Sequence, residues 1–516
     1  MDRRSRRALL ADVGRGMLLA SIGTGLTAEL GLTPAAAEAE TAGTLAFGRL
    51  EPLVCLMQET PAETLLPRLA DRLSAGTPLR DLVAAAALAN ARTFGGEDYI
   101  GFHTMMALSP AYHMARELPV ERQPLPVLKV LYRNSARIQE TGGRTREVLH
   151  PVSPAPAPAD AAALCEAVRK QDAGRAEALF AAAARESAAK AFDDLLYAVQ
   201  DQLEVHRVVL PYRAWDLLEI VGSEHAHTML RQSVRYCVKA ESVRRPAWDE
   251  PVALLPQLLE QHRLLERSPG TREGDDAWLA GLSRTIFGSK PADAAAATAA
   301  ALAEGYSPAQ VGEALSLAAN ELVLRDPGRT PSLEDVGKPV GSVHGDSVGV
   351  HACDTANAWR QMAGVASARH TCACLILGAY QVARDRTLGG RDLAGYPPLP
   401  LEHHLARVTA TDPAELLREA EAAIRGNLQA RASAAVHRYG ALGHPARPAF
   451  ELMLRYAVSE DGSLHAEKYY RTVSEEFAAT RPAFRWRHLV ALARVTASEF
   501  GRPAPGYAEA CRLLKI

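Results

Sequence analysis

"PAETLLPRLADRLSAGTPLRDLVAAAALANARTF", residues 61–94, decides the fold class. It holds two helix-length patterns, and Gly76-Thr77-Pro78 between them is a stop-and-restart signal. The same texture runs through the chain. Asp98 to Glu117 reads as a helix that Pro110 kinks or ends, and Leu125 to Glu140 as another, closed by Gly142-Gly143. Residues 159–221, His225 to Glu241, residues 293–323, Asp346 to Ala383 (with a break near Gly364) and Ala414 onward read as further helices. Alanine is abundant, strand formers are scarce, and no useful stretch alternates with period two. The expected class is all-α, a multi-helical bundle or stacked helical pairs around a His-rich central pocket.

The chain has 516 residues, 48% hydrophobic and 23% charged, enough for a sizeable core. A formal net charge of −2 gives no electrostatic case for nucleic acid or an anionic membrane surface. The expected parts are a signal peptide (1–37), an N-terminal helical part (38–150), a Pro/Ala linker (151–158), a middle part (159–325), a loop (326–340) and a C-terminal part (341–516), packing as one catalytic domain.

Residues 1–40 open basic, run mildly apolar from Met17 to Leu32, and reach Ala35-Ala36-Ala37, a small-x-small cleavage site. Ser5-Arg6-Arg7-Ala8-Leu9-Leu10 resembles the twin-arginine (Tat) consensus. It implies the Tat translocase as a partner, a folded passenger, and a periplasmic or extracellular location. The apolar stretch is too short and broken for a permanent membrane span. Seven cysteines, scattered and odd in number, do not suggest a disulfide framework, and Cys372-Ala373-Cys374 is not a C-x-x-C redox pair.

The ligand-grade residues concentrate in "GSVHGDSVGVHACDTANAWR", residues 341–360. On a helix His344 and His351, at i and i+7, would lie about 20° apart and face one cavity. Asp354 would fall near that face, to orient an imidazole or join it as a ligand. Gly345 and Gly349 would let another backbone or a substrate approach closely. His103, His206, His225, His227 and His465 stand in other apolar stretches. Neutral imidazole suits a transition metal such as Fe, Mn, Cu or Zn, and it serves as a general base near neutral pH. No H-E-x-x-H, G-x-S-x-G, G-x-G-x-x-G or Walker-type loop is present. Lys468, three residues after His465, shares its helical face as an anion or carbonyl partner, or is simply a solvated lysine.

The order of these stretches resembles the questin oxidase-like family, helical proteins named for an enzyme that opens an anthraquinone ring by Baeyer–Villiger-type oxidation with NADPH and oxygen. The stretches that carry the likeness are "FHTMMAL" from Phe102, "HRVVLPYRAWDLL" from His206, "VHGDSVGVHACDTANAWR" from Val343 and "HAEKYYR" from His465. They cover about half of the mature chain. The resemblance implies an oxidoreductase acting on an aromatic or polyketide-like small molecule. It also implies a pocket gathering His103, His206, His344, His351, His465 and Lys468. In that reading His344 and His351 act as bases or metal ligands, with His206 and His103 facing them as further ligands. Asp354 fixes a tautomer and Lys468 stabilises an oxyanion. "DSVG" at 346–349 departs from the family's residues after His-Gly, and an exported enzyme has no NADPH supply. A metal-dependent hydrolase or lyase on the same histidines, and a non-catalytic helical scaffold, are the other readings.

Overall fold

The structure, a computed structural model, describes residues 43–156, 160–334, 338–345 and 347–516. The expected signal peptide and Asp346 lie outside the described residues. Helices dominate, and no strand forms among the described residues, as the alanine-rich, non-alternating sequence requires. No described helix is long and apolar enough to cross a membrane.

The described chain divides into two compact units, residues 43–250 with 505–516, and residues 251–504. The division falls inside the stretch that the sequence suggested as one middle part, 159–325. Counting helices of eight residues or more, the first unit contains α1 (Glu51–Glu59), α2 (Ala62–Ser74), α3 (Leu79–Phe94), α4 (Tyr99–Arg116), α5 (Pro124–Glu140), α6 (Ala161–Arg169), α7 (Ala173–Glu186), α8 (Ala188–Val199), α9 (Val205–Asp216) and α10 (Ala226–Ala240). The helix α11 (Asp249–Gln261) spans the boundary. The second unit continues with α12 (Asp276–Gly288), α13 (Pro291–Ala303), α14 (Pro308–Arg325), α15 (Val348–Val365), α16 (Ala368–Asp385), α17 (Pro413–Arg425), α18 (Gln429–Ala441), α19 (Ala446–Ser459), α20 (His465–Ala479) and α21 (Trp486–Glu499). The last helix, α22 (Tyr507–Leu514), packs on α5 and α2 of the first unit.

The two units repeat one plan. In the first, α3 packs on α1, α4 and α5, α4 packs on α9, and α10 packs on α3, α7 and α9. In the second, α14 packs on α12, α15 and α16, α15 packs on α20, and α21 packs on α14, α18 and α20. The sequence carries the same repeat. "TPLRDLVAAAALAN" at 77–90 matches "SPAQVGEALSLAAN" at 307–320 without a gap at its Pro, Ala and Asn, and "IGFH" at 100–103 matches "VGVH" at 348–351. Each shared glycine is forced by a neighbour. A Cβ on Gly101 would lie 2.5 Å from the Phe94 ring at the end of α3, and one on Gly349 would lie 2.7 Å from the Val323 backbone near the end of α14.

Close packing follows from small side chains. Every residue of α3 from Leu82 to Phe94 is buried, so this helix is surrounded rather than amphipathic. Pro110 neither ends nor splits α4, which runs through it. The break expected near Gly364 falls two residues on, at Ala366 and Ser367, between α15 and α16.

Candidate functional site

Each unit buries one pair of histidines that face each other through their Nε2 atoms. In the first unit α4 carries His103 and the first turn of α9 carries His206, 3 % and 2 % exposed. Their Nε2 atoms are 3.1 Å apart. Phe102 stacks on His103 with ring centroids 4.9 Å apart, and Tyr99 lies 4.4 Å from His103. The outer nitrogens are anchored. The His103 Nδ1–H donates to the Tyr99 carbonyl at 2.7 Å, and the His206 Nδ1–H donates to the Glu204 carboxylate at 2.8 Å.

Glu204 is the group that sequence reasoning missed. It caps α9, accepting from the backbone N–H groups of His206 and Arg207 at 3.0 Å each and from the Tyr236 hydroxyl at 2.8 Å. Burial alone would raise its pKa. The charge and hydrogen bond of His206, with the two backbone donors, outweigh that and bring it down to about 2. Glu204 is therefore an ionised carboxylate at neutral pH.

With both Nδ1 atoms used as donors, two neutral rings would point two Nε2 lone pairs at each other across 3.1 Å. A cation shared between them, with the Glu204 carboxylate as its counter-charge, would remove that repulsion. A proton would serve, and so would a metal, since two nitrogen ligands at about 2.1 Å from one ion stand about 3–3.4 Å apart.

In the second unit the first turn of α15 carries His351 and the first residue of α20 is His465. Their Nε2 atoms are 3.2 Å apart, with the rings edge to face at 79°. The His465 Nδ1–H donates to the Ser463 carbonyl at 3.0 Å. Ser463 and Leu464 reach that geometry with φ of 51° and 68°, left-handed conformations costly for residues with side chains. Here a His351 Nε2–H donating to His465 would satisfy the contact with both rings neutral, so this pair does not require the extra cation.

His344 is buried at 1 % exposure but precedes α15, in the connection that Ser347 ends as N-cap. The helical i, i+7 argument for His344 and His351 therefore fails, because an N-cap breaks the helix between them. Gly345, beside it, packs against His465, where a Cβ would come 2.1 Å from the His465 Cβ. Asp354, expected to fix a tautomer, accepts from the Thr472 hydroxyl at 2.8 Å and so ties α15 to α20. The outer nitrogens of His103, His206 and His465 are held by the Tyr99 carbonyl, Glu204 and the Ser463 carbonyl. Lys468 is buried at 2 % exposure, one turn along α20 from His465, which excludes a solvated lysine.

The structure thus brings the expected site residues together two at a time within each unit, His103 with His206 and His351 with His465. Among the described residues no group of three or more His, Cys, Asp or Glu side chains is arranged to hold a metal ion. All seven cysteines are free thiols. No family model, no curated protein and no solved structure matches the chain.

Proposed function

We propose that the chain is an oxidoreductase of the questin oxidase-like kind, acting on an aromatic or polyketide-like small molecule, with the two histidine pairs as its reactive groups. The observation that supports this reading is the convergence of Nε2 atoms from distant helices, with the opposite nitrogens anchored to a carboxylate and to carbonyls. Anchoring of this type holds imidazoles in the orientation that proton transfer and metal ligation both need. Burying four imidazoles this way is costly for a scaffold that needs only packing.

His206, with Glu204 behind it, is the group best placed to hold a proton and release it at Nε2. His465, held by the strained turn at Ser463 and Leu464, presents its Nε2 to His351 in the same manner. A transition metal fits each pair only in part, since two nitrogen ligands leave the rest of its shell to water or substrate. Such a metal would supply oxygen activation. The resemblance implies NADPH as the two-electron donor; at the exported location that the N-terminal signal implies, another two-electron donor would have to take its place.

Elemental analysis of the full chain and of His206→Ala and His465→Ala tests what lies between the nitrogens. Iron, manganese, copper or zinc near one equivalent in the parent, lost in a variant, would make the pairs metal ligands. No metal in any of the three would leave proton transfer as the role of the pairs.

A further inference from the structure

The second unit carries a groove of about 910 Å³ that neither His351 nor His465 lines. Its walls come from α12, α14, α18, the start of α21 and the Pro398–Pro400 loop. That volume lies within the range of small-molecule sites, roughly 300–1,000 Å³. Two features define what it would take.

The first is aromatic surface. Phe287, Phe484 and Trp486 line the groove. Trp486 is held in place from below by Gly440, where a Cβ would stand 2.3 Å from the indole, so this position has no room for a side chain. The Arg325 guanidinium sits 5.3 Å above the Phe287 ring.

The second is unbalanced charge. Arg325 donates to Glu321 at 2.6 Å and to the Tyr396 carbonyl at 2.6 Å, and Arg487 pairs with the same Glu321. One carboxylate therefore serves two guanidinium groups. A third, Arg284, also lines the groove, is exposed, and forms no ion pair among the described residues. Three guanidinium groups against one carboxylate leave a surplus of two positive charges beside flat apolar walls.

We infer that this groove binds a flat aromatic anion, its ring system lying among Phe287, Phe484 and Trp486 and its carboxylate meeting Arg284. Guanidinium and carboxylate form strong charge-assisted pairs, and the rings supply stacking area without demanding a sequence of polar contacts. The inference does not depend on the proposed activity, because the groove and the histidine pair share no lining residue.

Calorimetric titration of the full chain with naphthalene-2-carboxylate, and with the neutral naphthalene-2-carboxamide, tests it. One equivalent of the carboxylate should bind, with the carboxamide about tenfold weaker or more, since losing a charge-assisted pair costs on that order. Arg284→Gln, a surface change that leaves the core untouched, should weaken the carboxylate by about the same factor and leave the carboxamide unchanged. Equal binding of the two ligands, equal binding by Arg284→Gln, or no carboxylate binding would each overturn the inference.

Discussion

Replacing Glu204 by Gln keeps the shape of the side chain and removes its charge. The carboxylate lies wholly buried against His206, Arg207 and Tyr236, and its pKa falls from the ordinary 4.5 to about 2. At ~1.4 kcal/mol for each tenfold change, that drop corresponds to about 3 kcal/mol of preference for the ionised form in the folded unit. Glutamine also takes away the charged acceptor of the His206 Nδ1–H. The variant should lose about 3 kcal/mol at pH 7, a fall in Tm of roughly 6–12 °C for a unit of this size. The sign is set by the lowered pKa. The stabilisation is fully present above pH 4.5 and is lost as pH falls from there towards 2, so parent and variant should converge in acid. Urea unfolding of both proteins at pH 7 and pH 3 measures the difference directly. A loss below about 1 kcal/mol at pH 7, or a gap of the same size at both pH values, would refute a buried Glu204 that is ionised at neutral pH.

Other changes have equally definite expectations. His488, buried on α21 beside the Thr480 hydroxyl, has its pKa pushed down by burial to about 3. It is neutral in the folded unit, so stability is full above the ordinary 6.5 and falls as pH drops from 6.5 towards 3. Denaturation at pH 7 and pH 5 should differ by about 2 kcal/mol, and His488→Asn should flatten that dependence. Gly349→Ala should destabilise by about 1–3 kcal/mol, because its Cβ meets the Val323 backbone. Gly101→Ala should cost a comparable amount, since the Phe94 Cγ, which ring rotation cannot move, stands 2.6 Å from the added Cβ in a buried site, and thermal melts of both variants check it.

The all-α class was legible because alanine-rich helical patterning and Gly-Thr-Pro punctuation are local signals. The histidine pairing was not. His103 and His206 are 103 residues apart and His351 and His465 are 114 apart, so only tertiary packing of α4 on α9 and α15 on α20 makes them neighbours. Glu204 escaped notice because it acts from the N-cap, two residues before His206, where helical spacing rules do not apply. The position of His344 was misjudged because Ser347 is a capping residue within an otherwise helix-like run. The internal repeat was present in "TPLRDLVAAAALAN" and "SPAQVGEALSLAAN", and in "IGFH" and "VGVH". It was masked because only positions with a packing or chemical constraint are shared, and because the α14–α15 connection is far longer than the α3–α4 one.

The central claim, oxidation of an aromatic compound at the histidine pairs, is tested most directly by oxygen uptake. The full chain would be incubated with a panel of hydroxylated anthraquinones and aryl ketones, with and without NADPH, beside His103→Ala and His351→Ala. Substrate-dependent uptake by the parent, lost in the histidine variants, is the expected result. No uptake with any member of the panel, or uptake that survives both substitutions, would contradict it.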